Sequence, residues 1–146
     1  MTLRHQLLRD TAVTVTWSED GCSVVRGKWI DPYSGRELRD PADIEVDHLI
    51  PLAWAWRHGA DAWDDERRYA FATDPRFLIP VLDAENRRKG DSDPLEWLPS
   101  DSAYHCAYVT RFMRGVLTWD LDLSVTEAAD LRRLRQQLCA RDEPAS

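Results

Sequence analysis

The spacing of apolar residues changes along this chain, and the change limits the class of fold that the chain can form. Near the N-terminus, apolar side chains recur at every second position, at Val13, Val15 and Trp17, which is the period of a half-buried strand. Turn-forming residues follow at 18–21, and a second strand-like run begins at Cys22. The first third of the chain is therefore predicted to contain a β-hairpin.

In the C-terminal third, the apolar residues recur at helical spacing instead. Two amphipathic helices are predicted within residues 101–140, with Val109, Phe112, Met113 and Val116 on the first and Ala128, Leu131 and Leu138 on the second. Ser124 and Glu127 stand three residues apart at the start of the second helix, as in a capping box. Strands followed by helices predict an α+β fold.

The middle of the chain contains two further strand-like runs. The first, Ile44–Asp47, alternates so that Glu45 and Asp47 share the side opposite its apolar residues. The second covers Phe77–Leu82, where Pro80 cannot donate a ladder hydrogen bond and so implies an edge or a bulge. Between these strands two short helices are predicted, over residues 52–58, where Gly59 follows, and over 61–72.

Size and targeting signals favour a single soluble domain. A chain of 146 residues with 43% hydrophobic content can bury one core without disulfides, so we expect one domain over residues 1–146. No run approaches the roughly 20 apolar residues of a membrane span. The start of the chain has Arg4, His5 and Arg9 where a signal peptide has an apolar core. These features predict a cytoplasmic protein with no membrane partner.

The three cysteines are widely separated and odd in number. Cys22, Cys106 and Cys139 match neither a paired disulfide framework nor the spacing of a zinc site. They are expected to be reduced thiols. A bridge between Cys22 and Cys106 in an oxidising compartment is the alternative, because sequence does not give their separation.

The net charge of −7 argues against a simple nucleic-acid-binding module, which usually has a basic surface. The objection is weaker for a metal-dependent phosphodiesterase. Acidic residues that hold a cation create positive potential where a phosphate binds. Net charge therefore excludes neither class of protein.

Two polar segments carry the residues that could do chemistry. Asp47 and His48 adjoin at the end of the first middle strand, and residues 84–91 follow the second one. That second segment contains Asn86, the only asparagine of the chain, together with Lys89. Either segment alone is more typical of a structural pair or a solvated turn. The presence of both segments in one chain is what indicates a candidate catalytic site.

Taken together, the two segments resemble the HNH or ββα-metal nuclease superfamily, in particular bacterial HNH proteins related to the C-terminal nuclease domain of GmrSD-type modification-dependent restriction enzymes. The resemblance runs from about residue 21 to the last helix. Its motifs in this chain are Gly21-Cys22, Gly27-Lys28-Trp29-Ile30-Asp31-Pro32-Tyr33-Ser34-Gly35, Asp47-His48 with Pro51 and Leu52, and Asn86 through Pro99.

The resemblance implies a fold and an activity. The expected fold is a ββα-metal HNH nuclease core over about residues 44–92, with an N-terminal β-hairpin region and C-terminal amphipathic helices. The expected activity is hydrolysis of DNA phosphodiester bonds by a one-metal endonuclease, with RNA as a substrate not excluded. Magnesium is the expected cofactor, and manganese is an alternative. The alternative function is a catalytically impaired HNH-like module that binds nucleic acid.

The resemblance also assigns roles to individual residues. His48 is the expected general base, because its ordinary pKa leaves it largely neutral at pH 7 and able to accept a proton through Nε2. Asp47 and the side-chain oxygen of Asn86 are the expected metal ligands. Lys89 is expected to contact phosphate or to steady the carboxylate neighbours of the metal, and Arg87 and Arg88 are further candidates for nucleic-acid binding.

This chain departs from the family pattern in one place. Many HNH proteins carry a middle asparagine before the second strand, and no asparagine lies between His48 and Asn86 here. A backbone carbonyl of Asp74 or Pro75 could accept from Nδ1 of His48 in its place. The carboxylate of Asp74 is another candidate. Glu45 is either an exposed strand residue or a neighbour of the metal.

Overall fold

The computed structural model describes residues 1–141, so most of the loose tail expected from residue 140 to 146 lies outside the described residues. The chain begins with helix α1, Leu3–Thr11, which the sequence patterns did not predict. Three antiparallel strands follow, β1 at Thr14–Trp17, β2 at Val24–Ile30 and β3 at Glu37–Leu38. The predicted β-hairpin is therefore confirmed as β1 and β2.

A second, two-stranded sheet forms the centre of the molecule. Strand β4, Ile44–His48, pairs antiparallel with β5, Leu78–Leu82, so that Asp47 lies opposite Ile79. Each strand of a two-stranded sheet has a free edge, which accommodates Pro80 in β5. The polar segment after β5 is a helix, α4 at Asp83–Lys89, which packs against both strands.

Two short helices connect β4 to β5, as predicted. Helix α2 covers Leu52–Arg57 and is followed by Gly59, which has a φ of 114° that other residues rarely adopt. The helix expected over 61–72 is instead a 3₁₀ turn at Ala60–Ala62 and a separate helix, α3, at Asp65–Ala72. The break occurs because the carboxylate of Asp64 caps a new helix by accepting from the amide of Arg67.

The two C-terminal helices are confirmed. Helix α5 covers His105–Thr118, and α6 covers Val125–Ala140 and begins with the predicted capping box. The expectation of three reduced thiols is wrong, because a disulfide joins Cys106 in α5 to Cys139 in α6, while Cys22 is exposed and free. The packing of α5 against α6 brings the two Cα atoms within 4.7 Å, a proximity that sequence spacing does not reveal.

The buried side chains form three clusters around β4 and β5. One lies between the β4–β5 connection and the C-terminal helices and includes Ile50, Trp54, Phe71, Phe112 and Leu131. A second packs β5 against α5 and includes Tyr33, Leu49, Val81, Tyr108 and Val109. A third joins α1 to the N-terminal sheet and includes Leu8, Val24, Trp29, Leu38 and Ile44. The fold is thus mixed α+β, with β4, β5 and α4 in contact with its core.

Within residues 1–141, none of the helices is both long and apolar enough to cross a lipid bilayer.

Candidate active site

Asp47 lies in β4, and its carboxylate is buried against α4. Only 7% of the side chain is exposed. Its Oδ2 accepts a hydrogen bond from the hydroxyl of Tyr33 at 2.6 Å and another from the ammonium of Lys89 at 2.6 Å. These two donors hold the carboxylate in a fixed orientation.

The ammonium of Lys89 is enclosed by its partners. The side chain is fully buried, and Nζ donates to Asp47 Oδ2, to the carbonyl of His48 at 2.7 Å and to that of Leu49 at 3.1 Å. All three of its hydrogen-bond donors are therefore used. Burial lowers the pKa of this ammonium, and the charge of Asp47 opposes that change.

This geometry decides between the two roles expected for Lys89. Direct contact with a phosphate was the wrong expectation, because the ammonium is buried and has no donor left. The other expected role, steadying a carboxylate of the site, is the contact that the structure contains. Lys89 also ties the end of α4 to the chain just after β4.

Tyr33 is a residue of the site that the sequence reasoning missed. It lies between β2 and β3, next to Asp31, whose buried carboxylate accepts from the amides of Tyr33, Ser34 and Leu82. These bonds attach the loop to β5 and bring the phenol of Tyr33 to Asp47. Burial, and then the charge of Asp47, raise the pKa of Tyr33, so the phenol stays protonated and donates. The Asp31-Pro32-Tyr33 motif was visible in the sequence, but nothing local indicated its partner.

The imidazole of His48 is held by the end of α3. Its Nε2 lies 2.9 Å from the carbonyl oxygen of Ala72. A carbonyl oxygen can only accept, so Nε2 carries a proton, and in the neutral form of the ring the lone pair is on Nδ1. The expected orientation, with Nε2 toward water and Nδ1 on a carbonyl, was therefore wrong. Nδ1 is the nitrogen that can accept a proton.

The carbonyl that holds His48 is that of Ala72 rather than that of Asp74 or Pro75. The carboxylate of Asp74 is itself occupied, because it accepts from the guanidinium of Arg76 and from the indole of Trp119. The hydrogen bonds from Arg76 lower the pKa of Asp74, against the effect of its burial. Asp74 is therefore a structural residue that connects β5 to α5 and does not replace the missing asparagine.

Asn86 and Arg87 of α4 both donate hydrogen bonds to Glu45 of β4. The amide nitrogen of Asn86 donates to Glu45 Oε2 at 2.7 Å, and the guanidinium of Arg87 donates to Oε1 at 3.0 Å. Glu45 is thus a half-buried partner of α4, rather than a free strand position. Arg87 keeps 72% of its side chain exposed, and Arg88 keeps 59% while it pairs with the buried Glu85.

The expected site residues are thus brought to one region without direct contact between all of them. Asp47 is bonded to Lys89, Asn86 to Glu45 and His48 to Ala72. In the described part of the chain, no hydrogen bond joins Asp47 to Asn86, and no group of three or more His, Cys, Asp or Glu side chains could hold a metal.

The donor set is compatible with a hydrated divalent cation. Oδ1 of Asp47 and Oδ1 of Asn86 accept no hydrogen bond within residues 1–141. Both are hard oxygen donors, and Mg²⁺ is commonly held by one or two such groups with water as its other ligands. Asp47 and Asn86 would therefore hold the ion. Lys89 would limit its affinity, because it already neutralises Asp47.

Comparison with known protein families identifies the family of this chain. Residues 5–134 match the family model described as GmrSD restriction endonucleases, C-terminal domain, and the chain belongs to this family. This membership suggests a nuclease-related function.

A curated relative adds information on the compartment. The chain is 34% identical over 131 residues to an uncharacterized secreted protein of Arthroderma benhamiae, a match that covers 88% of this chain and 63% of the relative. The chain therefore spans less than two thirds of that protein. The expectation of a cytoplasmic protein is contradicted by this relative. No solved structure matches the chain.

Proposed function

We propose that this protein is a metal-dependent HNH endonuclease that hydrolyses DNA phosphodiester bonds, with His48 as the general base. The observation that carries the proposal is the hydrogen bond between Nε2 of His48 and the carbonyl oxygen of Ala72. Ala72 fixes Nε2, which leaves Nδ1 as a proton acceptor at the end of the strand that also presents Asp47. A general base needs this combination of a fixed orientation and a free nitrogen.

In the proposed reaction, Nδ1 of His48 takes a proton from the water whose oxygen bonds to phosphorus. The bond from phosphorus to the leaving 3′ oxygen breaks, and that oxygen takes a proton from solvent. The ring then becomes an imidazolium whose second N–H remains on the carbonyl of Ala72, which stabilises the added charge. Asp47 and Asn86 would hold a divalent cation, which supplies positive charge where the phosphate develops negative charge. Lys89 and Tyr33 fix Asp47 in position.

The exposed arginines of α4 extend the proposed substrate path. Arg87 and Arg88 lie on the helix that carries Asn86, and both keep most of their side-chain surface in solvent. Arg87 shares its partner Glu45 with Asn86, whereas Arg88 pairs with the buried Glu85. They are suited to contact the phosphates on either side of the cleaved bond.

The disulfide supports a place of action outside the cytoplasm. Disulfides persist in oxidising compartments, and the described cysteines of α5 and α6 form one. The secreted relative supports the same assignment.

A cleavage assay tests the proposal. The purified protein is incubated with supercoiled plasmid, or with a labelled RNA of equal length, in Mg²⁺, in Mn²⁺ and in EDTA. We expect nicked and then linear plasmid with either metal and intact plasmid in EDTA. Cleavage that persists in EDTA would contradict the metal requirement, and cleavage of RNA alone would contradict the choice of DNA.

A second function is favoured by one observation. Lys89 neutralises the carboxylate that should hold the cation, and this would suit a module that binds nucleic acid without cutting it. Binding of the plasmid in EDTA, with no cleavage in either metal, would select this alternative.

A further inference from the structure

An apolar cavity of about 290 Å³ lies between α2 and α3. Its floor is made of buried residues of the core, Ala55, Ala60 and Phe71. Its rim is made of the exposed side chains of Leu52, Trp56 and Tyr69. Its volume is close to the lower limit of pockets that take small organic groups, about 300 Å³.

The aromatic rings of the rim are unusually exposed. Trp56 has 53% of its surface in solvent and Tyr69 has 72%. Among residues 1–141 they are the two most exposed Trp, Tyr or Phe side chains, and both border the same cavity. Exposed apolar groups that cluster, rather than scatter, are typical of a binding site.

The ring of Trp56 is supported from within the protein. The guanidinium of Arg68 lies 5.3 Å from its centroid, at the distance of a cation–π contact. Arg68 is itself held by the carbonyl oxygens of Ala60 and Trp63 and by the carboxylate of Asp65. The rim is therefore positioned in advance, which reduces the entropy lost when a partner binds.

One residue, Ala72, belongs to both the wall of the cavity and the candidate active site. Ala72 lines the cavity, and its carbonyl oxygen holds Nε2 of His48. A nucleic acid whose phosphate lies at His48 carries a base within one nucleotide of that phosphate. Because Ala72 contacts the ring of His48 and also lines the cavity, this cavity is the apolar surface that we expect such a base to meet.

We propose that this cavity, lined by Trp56 and Tyr69, binds a nucleobase of the nucleotide next to the cleaved phosphodiester bond. This inference rests on the proposed nuclease function and adds a substrate class to it. A base can enter an apolar cavity only after it leaves its own stack, so the substrate is single-stranded or locally unpaired at that position. Stacking on an aromatic ring then provides affinity with little sequence preference.

Binding of oligonucleotides to an inactive background tests the inference. The cut position in a single-stranded DNA is first mapped with the wild-type protein. Fluorescence anisotropy then gives the Kd of that DNA for His48→Ala and for the same protein with Trp56→Ala, Trp56→Phe or Leu117→Ala added. Leu117 is the control, since it is 80% exposed and lies on α5.

We expect Trp56→Ala to raise Kd about fivefold to a hundredfold, as loss of one stacked base does. Trp56→Phe should keep most of the affinity, because it retains an aromatic face, and Leu117→Ala should leave Kd unchanged. A matched duplex should bind more weakly than the single strand.

A scan with abasic nucleotides identifies the base that occupies the cavity. One abasic site is placed in turn at each position around the cut. We expect one position at which the missing base weakens binding to His48→Ala but not to His48→Ala/Trp56→Ala. A scan without such a position, or an equal loss in both proteins, overturns the inference.

The two failures can be told apart. If the wild-type protein cleaves DNA but no abasic position changes the Kd, only the proposed base pocket is wrong. The cavity would then be a site for a protein side chain. If the protein neither cleaves nor binds the DNA, the proposed nuclease function is wrong as well.

Discussion

The ion pair between Lys89 and Asp47 should be the contact on which the site most depends for its integrity. The perturbation is Lys89→Met, which keeps most of the length of the side chain and removes its charge. Asp47 then stays buried without its cation, and the carbonyls of His48 and Leu49 lose a donor. Removal of one partner of a buried pair costs about 3–5 kcal/mol. For a chain of this size that cost lowers Tm by about 10–16 °C.

Urea unfolding followed by circular dichroism measures this cost. The matched control is Arg87→Met, in the same helix, whose ion pair with Glu45 is mostly exposed and should contribute less than about 1 kcal/mol. Asp47→Asn and the double variant complete a cycle. We expect the double variant to be more stable than the sum of the single losses predicts, by about 1 kcal/mol or more.

Two results would refute this reasoning about the buried pair. One is a loss for Lys89→Met no larger than that for Arg87→Met. The other is simple additivity of Lys89→Met and Asp47→Asn, since it would mean that the two charges do not interact.

Three further predictions concern stability. Reduction of the Cys106–Cys139 disulfide, which spans 33 residues, should lower the free energy of unfolding by about 4 kcal/mol. Alkylation of the native protein should label Cys22 alone, as mass spectrometry would show. The pKa of Asp74 is lowered in the folded protein, so its carboxylate stabilises the fold above its ordinary pKa near 3.8. This stabilisation is lost as the pH falls through the pKa of the folded state. The loss of unfolding free energy caused by Asp74→Asn, measured by urea unfolding, should therefore become smaller below about pH 4. Gly115→Ala places a methyl group 2.6 Å from Ile50 Cδ1 and 3.2 Å from Phe77 and should cost about 1–3 kcal/mol in the same assay, whereas no loss would show that the packing relaxes there.

The elements of this fold that local sequence determines were predictable. The alternation in β4, the glycine after α2 and the capping box of α6 each follow from residues within a few positions of one another. The missed break before α3 also has a local cause, the cap at Asp64, which was present in the sequence and not recognised.

The contacts that complete the site were not predictable in the same way. Tyr33 meets Asp47 across 14 residues, and Lys89 reaches it across 42. A lysine in a polar segment usually extends into solvent, so its burial depends on how α4 packs on β4. The disulfide likewise depends on the packing of α5 against α6, which sequence periodicity does not specify.

The orientation of His48 shows the limit of a motif most clearly. The sequence identifies the histidine, but the choice between Nδ1 and Nε2 depends on which carbonyl lies beside the ring. That carbonyl belongs to Ala72, the last residue of helix α3. The chemistry of the base therefore needed the three-dimensional structure.

The rate of plasmid cleavage by His48→Ala, measured beside His105→Ala, tests the central claim most directly. His105 is a matched control, because its Nε2 also lies on a backbone carbonyl, that of Pro99, at 2.6 Å. Loss of a general base typically lowers the rate by about a hundredfold to ten-thousandfold. We expect such a loss for His48→Ala in Mg²⁺ and a wild-type rate for His105→Ala. Cleavage by His48→Ala at the wild-type rate would contradict the account.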